Sequence, residues 1–122
     1  MNKEETAASA TTVWIGLREI YRLLGSEDGN TIIRILLKKK NEPIKSGELM
    51  EESAIPAPRF YPLIKALVLC QVVEKKVHTD RSVSYSLSQF GKNVLELSEP
   101  ILEEIKERFK DKDSILLTTM KT

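Results

Sequence analysis

The chain has 122 residues, of which 41% are hydrophobic and 30% are charged. This balance is typical of one soluble globular domain. It fits neither a disordered tail nor a membrane protein, since no apolar run approaches the ~20 residues that span a bilayer. One cysteine, Cys70, and one histidine, His78, allow neither an internal disulfide nor a zinc cluster within one chain. We therefore expect a cytoplasmic protein without metal or cofactor, and residues 1–10 lack the pattern of a signal peptide.

Charge is distributed unevenly along the chain, although the total is only +1. From Thr31 to Lys92, eleven Lys and Arg residues stand against six Asp and Glu residues, a net charge of +5. The remaining segments hold eight bases and twelve acids, a net charge of −4. A basic centre between acidic flanks favours a middle that binds a polyanion and termini that have another role.

The N-terminal third predicts a flexible segment and then two helices. Thr11 or Thr12 is expected to cap the first helix, which ends at Gly25. Residues 26–29 are predicted to form a loop, and Asn30 is predicted to cap the second helix. Apolar residues at helical spacing mark the two helices: Val13, Leu17, Ile20, Tyr21 and Leu24 in the first, and Ile32, Ile33, Leu36 and Leu37 in the second.

The next segment predicts two further helices joined by a turn. Ser46 is expected to cap a short helix over residues 47–53. Because proline is tolerated in the first turn of a helix, Pro62 places the start of the following helix at about Arg59, with Pro58 in the turn before it. The apolar residues of that helix then share one face: Phe60, Ile64 and Leu67.

After Cys70 the apolar pattern becomes alternating, which predicts a β-hairpin over residues 73–77 and 83–87 with a polar tip. Ser88 is expected to cap a final helix, which Pro100 kinks or divides. The aromatic residues expected in the core here are Tyr85 and Phe90. The predicted organisation is a flexible N-terminus (1–10), one domain (11–110) and a C-terminal tail (111–122).

Several segments carry a family resemblance: Ile32–Leu37, Gly47-Glu48-Leu49, Phe60–Leu67, Val72-Val73-Glu74 and Tyr85–Lys92. Together they resemble prokaryotic winged helix-turn-helix transcription regulators of the MarR, ArsR and HxlR kind, over Asn30 to Ser98. In that family a Gly-Leu-Val turn enters the wing and a Tyr-x-Leu-Thr-x-x-Gly-like motif leaves it. This sequence has Gln71 in place of the turn glycine, Ser88 in place of threonine, and Pro62 within the recognition helix. The resemblance implies a mainly α fold with a small β-hairpin and with dimerisation helices at both ends.

Arg59 is the strongest candidate for base contact. A helix fits the major groove, its N-terminal end reaches the base edges, and a guanidinium grips guanine O6 and N7. Tyr61 and Lys65 lie on the adjacent surface and are candidates for base or phosphate contact. The other candidates are expected at the DNA backbone or the flanking minor groove: Lys45 and Ser46 at the start of the short helix, and Lys75, Lys76, His78 and Arg81 in the hairpin.

Each candidate also has a simpler interpretation. Arg59 and Lys65 are also typical of a solvated helix face, and His78 is typical of an exposed loop. Residues 38–40, three lysines, either contact phosphate or only solvate the end of a helix. Cys70, at the apolar end of a helix, is more typical of a buried packing residue than of a redox switch.

The terminal helices carry more apolar surface than a small winged-helix core covers: Trp14, Leu17, Tyr21 and Leu24 in the first helix, and Ile101, Ile105 and Phe109 in the last. In the resembled family these two elements form a two-fold interface, which implies a homodimer with recognition helices about one DNA turn apart. The alternative is that they pack on their own domain.

The predicted function is a sequence-specific, double-stranded-DNA-binding transcription regulator. The alternative is a winged-helix subunit that contacts other proteins in transcription or other machinery. An enzyme is not expected, since the sequence has no Gly-rich phosphate loop, no recognisable carboxylate pair and no nucleophile with a visible base. The lack of ligands disfavours a metal sensor, whereas a small apolar effector between dimer halves stays open.

Overall fold

Helices dominate the part of the chain that this computed structural model describes, residues 8–40 and 42–110. The elements are α1 (Ala10–Gly25), α2 (Glu27–Lys38), β1 (Ile44–Lys45), α3 (Ser46–Ser53), α4 (Ala57–Leu69), β2 (Val73–Val77), β3 (Val83–Leu87) and α5 (Gln89–Phe109). The three strands form one antiparallel sheet in the order β1-β3-β2. The predicted tail over 111–122 and most of the predicted flexible segment over 1–10 lie outside the described residues.

The boundary between α1 and α2 differs from the predicted one. Ser26 ends α1 and also caps α2: its hydroxyl donates to the carbonyl of Leu23 at 2.8 Å and accepts from the N–H of Gly29 at 3.1 Å. The predicted loop over 26–29 and the predicted cap at Asn30 are therefore wrong. One hydroxyl serves both helix ends, and the acids Glu27 and Asp28 stabilise the first turn of α2 through the helix dipole.

The start of α1 also differs, because Ser9 rather than a threonine is its cap. The Ser9 hydroxyl accepts from the N–H of Thr12 at 3.1 Å, and Thr11 and Thr12 lie within the helix. Ser9 thus satisfies one of the free N–H groups that every helix start presents.

Proline does not delimit the last two long helices as predicted. α4 begins at Ala57, two residues before Arg59, with Pro58 inside its first turn and Pro62 in its interior. α5 likewise continues through Pro100 and is not divided. All three prolines are exposed, so water can satisfy the carbonyl that a proline leaves without its helical partner.

The hairpin of β2 and β3 agrees with the prediction, whereas β1 was not predicted. β1 has only two residues and pairs with β3 through Ile44 with Tyr85 and Lys45 with Ser84. A two-residue strand leaves no alternating pattern that sequence periodicity can detect. The consequence is that Lys45 lies directly before α3, as expected, and also belongs to the sheet.

The core lies where α2, α3 and α4 meet the inner face of the sheet. Buried side chains come from each of these elements: Ile32, Ile33, Leu36, Leu49, Phe60, Leu67, Val73 and Tyr85. Phe90 was expected in this core but is 45% exposed, and Leu37 is 41% exposed. Phe90 lies outside the core because its neighbour Gly91 is the α5 residue that packs against the turn before β2. A β-carbon at position 91 would stand 2.3 Å from the Val72 carbonyl oxygen.

The turn that leads into the β2–β3 hairpin, which corresponds to the wing of the resembled family, contains one departure from that family's pattern. Gln71, which stands where the family has glycine, adopts φ 64°, a left-handed conformation that favours glycine. The turn keeps its shape partly because the Ser88 hydroxyl donates to the Gln71 and Val72 carbonyls at 2.6 and 2.9 Å. Ser88 also caps α5 by accepting from the Gly91 N–H at 2.8 Å, which confirms its predicted role.

Candidate nucleic-acid interface

The outer face of α4 presents the predicted recognition residues. Phe60 is fully buried, whereas Tyr61 is 50% exposed and Lys65 is exposed one turn further along. The Phe60 and Tyr61 rings meet edge to face with centroids 5.3 Å apart, so the buried ring restrains the exposed one. This arrangement leaves an aromatic and a basic side chain on one accessible helix face.

Arg59 lies at the N-terminal end of the same helix and forms an ion pair that sequence patterns did not indicate. Its Nε donates to Asp28 Oδ2 at 3.0 Å and its Nη2 donates to Asp28 Oδ1 at 3.4 Å. Asp28 was expected in a loop, but it lies in the first turn of α2. The Arg59 side chain stays 62% exposed, so one edge of its guanidinium is fixed while the residue remains accessible.

The outer face of the sheet gathers three of the predicted residues. Lys45 on β1 and Lys76 on β2 both pair with Ser84 on β3, so they lie in one row across the sheet. His78 Nε2 lies 2.8 Å from the Ser84 hydroxyl, and Ser84 itself is buried. His78 is therefore half-buried and hydrogen-bonded, and not the exposed loop residue that its position suggested.

Lys75 does not join this row. It pairs with Tyr85, and alternation along a strand places it on the sheet face opposite to Lys76. The two lysines are adjacent in sequence, yet they point to different sides of the wing. Both remain exposed.

The wing tip is closed by hydrogen bonds around Asp80. The Ser82 hydroxyl and backbone N–H both donate to Asp80 Oδ1, at 2.6 and 3.0 Å. These bonds lower the pKa of Asp80 below its ordinary value, and Lys45 and His78 act in the same direction. Arg81 adopts φ 70° at this turn, and its side chain is exposed. An arginine is thus presented at the end of a well-defined turn.

Ser46 does not have the predicted capping role. Lys45 occupies the cap position of α3 without a side-chain hydrogen bond, and Ser46 is the first helical residue. Burial raises the pKa of the Tyr85 hydroxyl, and a hydrogen bond with the Ser46 side chain opposes that shift. Ser46 is half-buried. As the first residue of α3, it has a backbone N–H without a partner inside the helix.

The lysines at the end of α2 differ in exposure. Lys38 is in the last turn, Lys39 is the C-cap, and Lys40 follows with φ 48°. Positive charge is favourable at a helix C-terminus. Lys38 and Lys40 are exposed and Lys39 is half-buried.

An open apolar groove of about 570 Å³ lies between α1 and α5. Its lining includes three predicted interface residues from α1 and one from α5, which are Leu17, Tyr21, Leu24 and Ile101. The other apolar lining residues are Ile20, Phe90, Val94, Leu95, Leu97 and Leu102. Other predicted interface residues lie outside it and are exposed: Trp14 at 69%, Ile105 at 45% and Phe109 at 36%. These side chains do not form a closed core within one chain.

Cys70 lies at the end of α4 and is half-buried. Burial raises the pKa of its thiol and Glu19 adds to this effect, whereas Arg22 acts in the opposite direction. A raised pKa keeps the thiol protonated at neutral pH, which is the opposite of an activated cysteine.

Neither a membrane span nor a metal site is found among residues 8–40 and 42–110. No described helix is long and apolar enough to cross a bilayer. Within the same ranges, no group of three or more His, Cys, Asp or Glu side chains is arranged to hold a metal ion.

Comparison with known proteins rests on structure. No family model and no curated protein sequence matches the chain. Diamide-treated YodB from B. subtilis has a TM-score of 0.64 at 22% identity, over 75% of this chain and 90% of that chain. The S. aureus MepR–DNA complex has a TM-score of 0.59 at 13% identity, over 90% and 95% of the two chains. NadR in complex with 4-hydroxyphenylacetate has a TM-score of 0.54 at 22% identity, over 95% and 86%.

Similar structures also include regulators of the ArsR and MarR families. The chain therefore has the winged-helix fold of these transcription regulators, which confirms the fold that the sequence resemblance implied. In this fold α3 and α4 form the helix-turn-helix, and β2 with β3 forms the wing.

Proposed function

We propose that the protein is a transcription regulator that binds double-stranded DNA sequence-specifically as a homodimer. In this proposal α4 enters the major groove and the wing reaches the flanking minor groove. The observation that carries it is the outer face of α4, where Arg59, Tyr61 and Lys65 are all exposed on a helix whose other face is fixed in the core. A helix anchored in this way can enter a groove without rearranging the domain.

The wing supplies a second basic surface for the same duplex. Lys45 and Lys76 lie in one row on the outer sheet face, and Arg81 is exposed at the tip. Phosphate contacts position a protein on DNA and carry no sequence information directly. We therefore assign the wing to affinity and α4 to sequence readout. MepR, which has the same fold, is known in complex with DNA, and this supports the proposal that this chain binds DNA.

The homodimer is inferred from the apolar surface of the terminal helices. Trp14 and Tyr21 on α1 and Ile101 on α5 are each more than half exposed. Large contiguous apolar surfaces on a soluble chain mark interaction sites. A two-fold interface through α1 and α5 covers these side chains and presents two copies of α4 to one side of a duplex.

The groove between α1 and α5 is also where a small apolar effector would bind. Its lining is almost entirely hydrophobic, and its volume of about 570 Å³ is in the range of small-molecule sites. NadR, which shares the fold, is known in complex with 4-hydroxyphenylacetate. In this chain, an effector in the groove contacts the same helices that the dimer uses.

The test is a binding titration followed by a selection. Fluorescence anisotropy with a mixed-sequence duplex should give a dissociation constant that rises steeply with salt, because phosphate contacts release counterions. Selection from a random pool should then enrich a two-fold-related site with half-sites about 10 bp apart. Lys65→Ala should weaken binding, whereas Lys106→Ala, an ion-paired lysine on α5, should not. A chain that binds no duplex at low salt would contradict the proposal and favour the protein-contact alternative.

A further inference from the structure

The carboxylate of Asp28 and the guanidinium of Arg59 come from segments 31 residues apart, and the fold brings them into a two-point contact. Asp28 is the second residue of α2, and Arg59 is the third residue of α4. Both lie in the first turn of their helix, so the helical backbone fixes the position from which each side chain extends. The proposed reading surface therefore includes a residue from outside the helix-turn-helix.

The atoms that meet determine which part of Arg59 remains available. A guanidinium carries five N–H donors, and Asp28 takes one on Nε and one on Nη2. Within residues 8–40 and 42–110, both donors of Nη1 and the second donor of Nη2 have no partner, and they form the end-on fork. That fork is the edge that donates to guanine O6 and N7 in a bidentate contact.

We propose that Asp28 is a positioning residue for DNA readout, which holds Arg59 so that its end-on fork faces a guanine. This inference rests on the proposed function. A free arginine side chain loses rotamer freedom when it binds a base. A carboxylate that already holds the side-on edge, formed by Nε and Nη2, reduces that loss. Asp28 also excludes phosphate from the side-on edge, so Arg59 is directed to a base.

The competing role for Asp28 is to mask the charge of Arg59. A masking carboxylate weakens binding to every sequence alike, so its removal tightens all binding and leaves sequence preference unchanged. A positioning carboxylate acts on the preference itself. The two roles are therefore separated by the ratio of the dissociation constants for a scrambled site and for the selected site.

The experiment measures that ratio for the full chain, for Asp28→Asn and for Glu27→Gln. Glu27 is the matched control, since it lies in the same first turn of α2 and carries the same charge, and within the described residues it makes no ion pair with Arg59. We expect Asp28→Asn to lower the ratio about fivefold or more, at one G·C pair of each half-site, and Glu27→Gln to leave it unchanged. In an Arg59→Ala background, Asp28→Asn should have no further effect on the ratio.

Three results would overturn the inference. Tighter binding of Asp28→Asn to all sequences with an unchanged ratio would assign Asp28 to masking. An equal loss in Glu27→Gln would assign the effect to charge alone, and an undiminished effect in the Arg59→Ala background would show that Asp28 acts without Arg59. Failure of the proposed function is recognised separately, because the unaltered chain would then bind no duplex or select no sequence. Circular dichroism of each variant verifies that the fold is retained.

Discussion

Gly91 lies so close to Val72 that a β-carbon at position 91 would stand 2.3 Å from the Val72 carbonyl oxygen and 2.9 Å from Leu87 Cδ1. This contact joins the start of α5 to the entry of the wing, where Ser88 also hydrogen-bonds to Val72. The terminal helix and the wing are therefore held in one relative position by backbone contact, which only glycine permits at this point.

Gly91→Ala should destabilise the fold, because the Val72 backbone must shift to admit the methyl group. We expect a loss of about 1–3 kcal/mol in the free energy of unfolding, measured by urea denaturation. Gly47→Ala is the matched control, since nothing lies within 4 Å of a β-carbon there; it should stabilise α3 by up to about 1 kcal/mol. Equal effects of the two substitutions would contradict the close contact.

Ile101→Glu should convert the proposed dimer to a monomer at micromolar concentration. Ile101 is 58% exposed and lines the groove between α1 and α5, so a charge there costs the single chain little but must be desolvated in the interface. Light scattering measures the mass. Leu69→Glu, an equally apolar and 73% exposed position on α4, serves as the control and should leave the dimer intact. A dimer that survives Ile101→Glu and dissociates with Leu69→Glu would move the interface elsewhere.

Arg81→Ala should weaken binding to the selected site and to random duplex by similar factors. Arg81 is exposed at the tip of the wing, and we assign it to phosphate or minor-groove contact. Anisotropy titrations over a range of salt should show a slope reduced by about one counterion. Arg108→Ala, whose arginine pairs with Glu104 on α5, should change neither. A large change in sequence preference would mean that Arg81 reads bases.

Elements with strong periodicity were predictable from the sequence. The hairpin is an example, because Val83, Tyr85 and Leu87 alternate with serines and Ser88 caps the next helix. Residues 26–29 and Pro62 were not predicted correctly, because each depends on what surrounds it. Ser26 joins two helices with one hydroxyl, and Pro62 is accepted within α4 since it lies on the exposed face. Two-residue β1 gives no periodic signal.

The candidate site was predictable by residue type but not by arrangement. Lys76 and His78 are close along the chain, but Lys45 lies 31 residues before Lys76. Only strand pairing reveals that all three surround Ser84 while Lys75 faces the other way. The ion pair between Asp28 and Arg59 spans two helices, and no local pattern indicates such a contact. Tertiary packing decides both features.

Sequence readout by α4 can be measured directly with Arg59→Ala, titrated on the selected site and on variants of that site at each base pair. Its ion pair with Asp28 is largely exposed and contributes little to stability, so the variant should fold. Arg34→Ala is the control, since Arg34 is an arginine of α2 that pairs with Glu99 on α5 instead of with Asp28. We predict that Arg59→Ala loses about 1–3 kcal/mol of discrimination at one base pair of each half-site, with binding to random duplex nearly unchanged. Equal loss on every sequence, with a shallower salt dependence, would contradict it and make Arg59 a phosphate contact.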